Sequence, residues 1–345
     1  MKRYFRITLT LFIFSWLNAL TFLLLGIIMG NTAYSEIFSL IYPLQYVGLI
    51  IAAFLSEGSN VRANKEKNSD CVLTGMFLGL TIGIIVFGII IAFVDKFIMF
   101  MNMDAEIYKT FTIMAIGQLF FTFVNGLVTE KLYFENKDKI ANTLSIVYIL
   151  INMASVLISA LCTKDQWLIL SINLTALFVY CFFVFIFNLK KFKFNFSFVS
   201  NLKYSSNTII DAVLMLVIYL FGYSVVFSFG AEYIITINLV NMITDPIWDG
   251  FEAVGKIAKI ELSQGTYNYK KAIAGSSAIT AMYYVVALTL FFSLANVFGA
   301  TISIGLIYIA FQLTDLTLDL FRINNRAFLQ LEYSPLIVGD RKSVV

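Results

Sequence analysis

The stretch LKKFKFNFSFVSNLKYSS, Leu189 to Ser206, sets lysine against phenylalanine and is the longest break in an otherwise apolar chain. Cations and rings interleaved in this way suit the headgroup layer of a bilayer, where charge meets anionic lipid and the rings sit at the interface. Working outward, apolar runs of spanning length lie upstream near 166–189, 140–162, 109–130, 72–94, 34–56 and 6–28, and downstream near 206–229, 232–255, 272–298 and 301–321. A bilayer core needs about 20 apolar residues per helix, and 60% of the 345 residues are apolar, enough for about ten spans. The predicted fold is all-α: a polytopic membrane protein with ten transmembrane helices, divided by the linker into two bundles.

Only 13% of the residues carry charge, and no soluble stretch is long enough to bury a core of its own. A nucleic-acid binder, a secreted disulfide scaffold and a soluble enzyme are thereby excluded. In such a chain the positions of lysine and arginine report orientation. With the N-terminus in the cytoplasm, 21 of the 24 fall on inside segments, and only Lys96, Lys109 and Lys164 fall outside. Both termini are expected on the cytoplasmic side of the plasma (inner) membrane. The charged opening Met1 to Arg6 resembles a signal peptide, but the run behind it is of full spanning length and lacks a small-x-small cleavage site, so it stays as the first span. Cys71, Cys162 and Cys181 fall in a loop, at a helix end and inside a span, with no pair placed to bridge.

An internal repeat organises the spans. Pro43 and Pro246 take similar places in spans two and eight, 203 residues apart, and each span ends in a Gly-containing, Lys-rich loop, EGSNVRANKEKN and ELSQGTYNYKKA. EKLYFENKDKIA from Glu130 parallels RAFLQLEYSPLI from Arg326, 196 residues on. The expected organisation is a six-helix lobe at 1–197, the end of the linker at 198–206, and a second lobe at 207–345 with four helices of an expected six. By this register Pro335 stands at the entrance of an eleventh span, so the chain is expected to be C-terminally truncated. The closing DRKSVV, Asp340 to Val345, can also be encoded by a stretch resembling a common sequencing adapter.

Acids within spans are costly unless they meet water, a partner or a bound ion. Span eight carries Asn238, Asn241, Asp245, Asp249, Glu252, Lys256 and Lys259 at intervals of three and four, which is one polar stripe on one helix face. Span ten repeats the device with Gln312, Asp315, Asp319, Arg322 and Arg326. At 1.5 Å per residue, Asp245 and Asp315 lie about 20 Å below the outer helix ends and Asp211 roughly 22 Å below. The three are expected to converge in the second lobe. Glu252 with Lys256 and Asp319 with Arg322 stand at ion-pair spacing, whereas Asp245, Asp249 and Asp315 have no cation one turn away on their own helix. Trp248 beside them is a candidate for cation-π contact. The first lobe has acids only near helix ends, at Glu36, Glu57 and Glu130.

The segment FQLTDLTLDLFRINNRAFLQLEYSP, Phe311 to Pro335, resembles the tenth helix of the multidrug and toxic compound extrusion (MATE) transporters, within the multidrug/oligosaccharidyl-lipid/polysaccharide (MOP) exporter superfamily. The resemblance is carried by Gln312, Leu313, Asp315, Arg326 and Pro335, and more loosely by GSNV at Gly58 and the run from Gln264 to Ala272. It implies two lobes that exchange H+ or Na+ for cationic or amphipathic compounds, and it carries over Asp315 alone as a functional residue. Span one, Ile7 to Ile28, holds no acid, and apolar residues surround Leu216 where other members carry a glutamate in helix seven.

The expected function is thus a non-enzymatic, cation-coupled antiporter that exports organic cations or amphipathic compounds by alternating access. Its binding residues are expected to be Asp315, Asp245, Asp249, Asp211, Gln312, Trp248, Glu252 and Asp319. No cofactor and no structural metal are expected; H+ or Na+ is the coupling ion, with Na+ at Asp315 and Asp245 if it is sodium. Without histidine, carboxylates are the proton carriers at hand. The expected partners are the small-molecule substrate and the lipid bilayer, with no nucleic acid, and the chain is expected to be a monomer. A lipid-linked oligosaccharide flippase is the alternative, for which basic residues within the spans would hold pyrophosphate; a membrane-embedded lipid-modifying enzyme is more remote.

Overall fold

The computed structural model describes residues 2–29, 58–100, 106–189, 195 and 197–332. Span two with Pro43, Glu36 and Glu57, most of the Lys/Phe linker, and Pro335 with the chain end lie outside the described residues. The described residues form ten helices: α1 (Lys2–Met29), α2 (Gly58–Glu66), α3 (Asp70–Phe100), α4 (Glu106–Phe134), α5 (Asp138–Cys162), α6 (Gln166–Leu189), α7 (Phe198–Phe229), α8 (Ala231–Ser263), α9 (Tyr269–Phe298) and α10 (Ile302–Glu332). No strand occurs among them. Six of the described helices, α1, α4, α5, α6, α9 and α10, contain stretches long and apolar enough to cross a membrane. α8, which bears the polar stripe, is not one of them.

Packing sorts the helices into two groups. α3 lies on α4, and α4, α5 and α6 pack on one another; α8, α9 and α10 form a second set. α1 sits between, against α5 on one side and α8 on the other. Its buried Ala19, Phe22 and Leu25 share one apolar cluster with Val156 and Ile169 of the first set and Leu239, Val240 and Leu316 of the second. Away from these contacts large apolar side chains point outward, among them Phe178, Phe182 and Phe187 on α6 and Leu214, Ile218 and Phe221 on α7. Lipid is the solvent in which such a surface is stable.

Two boundaries differ from the sequence expectation for one physical reason: short polar segments are helical where tertiary partners hold them. Residues 198–206 are the first turns of α7 and not linker. Ser197 caps that helix by accepting from the Ser200 N–H at 3.3 Å, and Asn201 donates to Ser59 Oγ on α2 at 2.8 Å. The loop after span two folds as α2, a nine-residue helix whose Gly58, Ser59, Asn60, Val61, Ala63 and Asn64 are buried. α7 turns into α8 through Gly230, whose φ of 124° is open to glycine and strained for other residues.

Candidate functional site

The polar stripe of α8 faces the interior. Asn238, Asn241 and Lys259 are buried, and Asp245 and Lys256 are half-buried. One helix ridge can carry so much polarity only because α10 sets a matching ridge against it. Tyr308 Oη donates to Asn241 Oδ1 at 2.8 Å. Gln312 Nε2 donates to Tyr308 Oη at 2.9 Å and to Asn241 Oδ1 at 3.4 Å. Asp245, one turn along α8 from Asn241, acts electrostatically on Tyr308. At the next residue Pro246 lacks an N–H, so the Met242 carbonyl loses its usual intrahelical donor beside this cluster. The contacts bring an amide oxygen and a phenol together one helical turn from the Asp245 carboxyl, groups of the hard-oxygen kind that small cations take.

α10 is held from two sides. α8 covers the ridge of Gln312, Leu316 and Asp319, while on a second flank Tyr284 of α9 donates to the Leu313 carbonyl and bonds the Thr317 hydroxyl. Asp315 projects from the flank away from α9, about 60° round the helix from Gln312 at 100° per residue, and is exposed. Asp319 is buried and paired with Arg322 Nε at 2.7 Å, the partner its spacing predicts. Trp248 is half-buried against the main apolar cluster. Asp211, Asp249 and Glu252 stand on α7 and α8 by backbone, and their side chains lie outside the described residues, as does that of Arg326. Lys256 bonds Glu130 of α4 at 2.9 Å.

Among the sequence candidates, the structure thus joins Gln312 and Asp245 to one cluster and adds Tyr308 and Asn241. Tyr308 could have been found by its i, i+4 spacing from Gln312 on the polar ridge. A second network was missed because only acids were sought in the first lobe. There Gln118 Nε2 donates to Asn173 Oδ1 at 3.2 Å, and Asn173 Nδ2 donates to Asn152 Oδ1 at 2.9 Å and Ser155 Oγ at 2.8 Å. Asn152 Nδ2 in turn donates to Asn18 Oδ1 at 3.2 Å, which ties α1, α4, α5 and α6 together. Amides isolated in apolar runs were the signal.

No family model matches the chain, and no curated protein sequence is recognisably similar to it. Solved structures are. A MOP superfamily transporter from Pyrococcus furiosus, reported with a binding pocket of reverse polarity that suggests a different function, superposes with a TM-score of 0.68 at 16% identity, over 95% of this chain and 82% of that one. The outward-facing conformation of a multidrug resistance MATE family transporter superposes with a TM-score of 0.66 at 15% identity, over 97% and 82%. The inward-facing conformation of a transporter of that family gives 0.53 at 13% identity, over 97% and 84%. The chain has the fold of the polytopic MATE transporters, as the tenth-helix segment implied.

Proposed function

We propose that a chain with this fold and this α8–α10 interface is a cation-coupled antiporter, moving organic cations or amphipathic compounds outward by alternating access of two lobes, the second beginning with α7. The observation that carries the reading is the half-buried Asp245 set against the hydrogen-bonded Asn241, Tyr308 and Gln312. A carboxylate within a span is costly unless it meets water, a partner or a bound ion, so it is a place where a coupling ion is held. Cargo cation and coupling ion then compete for one carboxylate, and that competition is antiport. Asp315, one turn from Gln312 on the open flank of α10, is the second carboxylate in the exchange, and Asp249, Glu252 and Asp211 are the further acids proposed to take part.

The better superposition on the outward-facing than on the inward-facing conformation supports reading this arrangement as the outward-facing state. The flippase alternative needs basic residues available to pyrophosphate. Lys256 is instead engaged by Glu130, which weighs toward the cation exporter. The test is uptake of a radiolabelled organic cation into inside-out vesicles, with an imposed Na+ or H+ gradient as the driving force. Accumulation that collapses with the gradient and is lost in Asp245→Asn supports the proposal; gradient-independent equilibration, or full uptake by Asp245→Asn, refutes it.

A further inference from the structure

We propose that Glu130, Lys256 and α2 form a latch that joins the two helix groups at the end of the bundle carrying the N-terminus, and that its rupture is the step that opens this end. The inference rests on the alternating-access reading, and it concerns a part of the molecule remote from the α8–α10 cluster. Lys256 lies eleven residues beyond Asp245 on α8, about 16 Å along the helix axis.

The chemistry of the latch is that of a removable contact. Glu130, on α4 of the first group, is only 7% exposed, and it accepts from Lys256 Nζ of the second group at 2.9 Å. Its other oxygen accepts from Asn60 Nδ2 of α2 at 3.4 Å. Asn64, one turn on, donates to Asn60 Oδ1 at 2.6 Å and accepts from Ser263 Oγ of α8 at 3.0 Å. From the far side of α2, Ser59 accepts from Asn201 of α7. The nine-residue α2 is therefore a wedge with polar bonds to α4, α7 and α8 at once. A carboxylate shielded from water but bonded to a cation of the opposite group is stable only while the groups stay together. Separation must hydrate both charges, so the contact is either fully made or fully broken, which is the behaviour a gate requires. A permanent bundle contact has no need of charge here: the neighbouring α1–α8 interface is closed largely by apolar burial and by a neutral donor, Tyr4, on Glu261.

The experiment is pulsed electron–electron distance measurement on the full chain in lipid nanodiscs. Spin labels go on Lys139→Cys at the start of α5 and Lys270→Cys at the start of α9, both exposed, in a background with Cys71, Cys162 and Cys181 replaced by serine. The parent should show one dominant short distance. Glu130→Ala, and independently the isosteric Glu130→Gln, should raise the population at longer distance by about fivefold, the scale of a coupling between contacting charges. The exchanged pair Glu130→Lys with Lys256→Glu should return it to near the parent value. Unchanged distributions in both Glu130 variants, or an exchanged pair that opens as far as the single variants together, would overturn the latch. The measurement needs neither cargo nor gradient. Loss of transport with intact distance behaviour therefore counts against the antiporter reading, and retained transport with unresponsive distances counts against the latch.

Discussion

Two polar networks join helices in this molecule, and they differ in one respect. The network of Asn18, Gln118, Asn152, Asn173 and Ser155 is wholly neutral and is joined by amide hydrogen bonds. The α8–α10 interface combines the same kinds of groups with carboxylates at Asp245, Asp315 and Asp319, of which only Asp319 is answered by a cation on its own helix. Neutral amides in lipid act as adhesive between helices and bind ions weakly. Carboxylates cost free energy there and are kept where an ion or a proton comes and goes. The contrast teaches that polarity in a span is not by itself a site; charge is the sharper mark.

The largest effect that separates the two networks is functional. Asp245→Asn keeps the side-chain volume and removes the charge, so ion-driven efflux should fall to background while insertion and melting behaviour stay near the parent, checked by vesicle uptake beside detergent thermal shift. Asp315→Asn should do the same, and retained efflux in both would erase the distinction. Next comes stability in the first group. Asn173→Leu strands Gln118, Asn152 and Ser155 and should cost about 1–3 kcal/mol, seen as a melting temperature lower by several degrees with transport per folded molecule unchanged. A fall in transport without loss of stability would make the neutral network a site as well.

Smaller effects test how the wedge of α2 ties the halves together. A Cβ at Gly58 would stand 2.6 Å from the Asn201 carbonyl oxygen, a backbone atom that cannot rotate away. Gly58→Ala should therefore cost about 1–3 kcal/mol and loosen α2 from α7, measurable as faster proteolysis between Leu189 and Phe198. The smallest effect expected is that of Tyr4→Phe, which deletes one 2.8 Å bond to Glu261 and should cost about 0.5–1.5 kcal/mol in a melting experiment.

The long apolar runs made most of the fold readable from the sequence, because a bilayer forces the chain into helices whose length it sets. The start of α7 and the existence of α2 were not readable. Both depend on Ser59 and Asn201 finding each other across more than a hundred residues, which no local pattern encodes. At the site, periodicity placed Asp245 and Gln312 on inward ridges, since an i, i+4 stripe is a local property. The pairing of α8 with α10 through Tyr308 and Asn241 is tertiary and had no such trace. Glu130 looked like an unremarkable acid at a helix end; its role follows from a lysine 126 residues away, whose expected partner Glu252 was local.

The most direct measurement of the carboxylate-centred exchange is equilibrium binding of tritiated tetraphenylphosphonium to the solubilised chain, titrated with Na+ at alkaline pH and then with acid in the absence of Na+. Competition between cargo and coupling ion at Asp245 and Asp315 predicts saturable binding that one of the two titrants displaces, weakened at least tenfold, about 1.4 kcal/mol, in Asp245→Asn and unaffected in Asn152→Ala of the neutral network. Binding that neither Na+ nor protons displace, or that Asn152→Ala abolishes while Asp245→Asn does not, would contradict it.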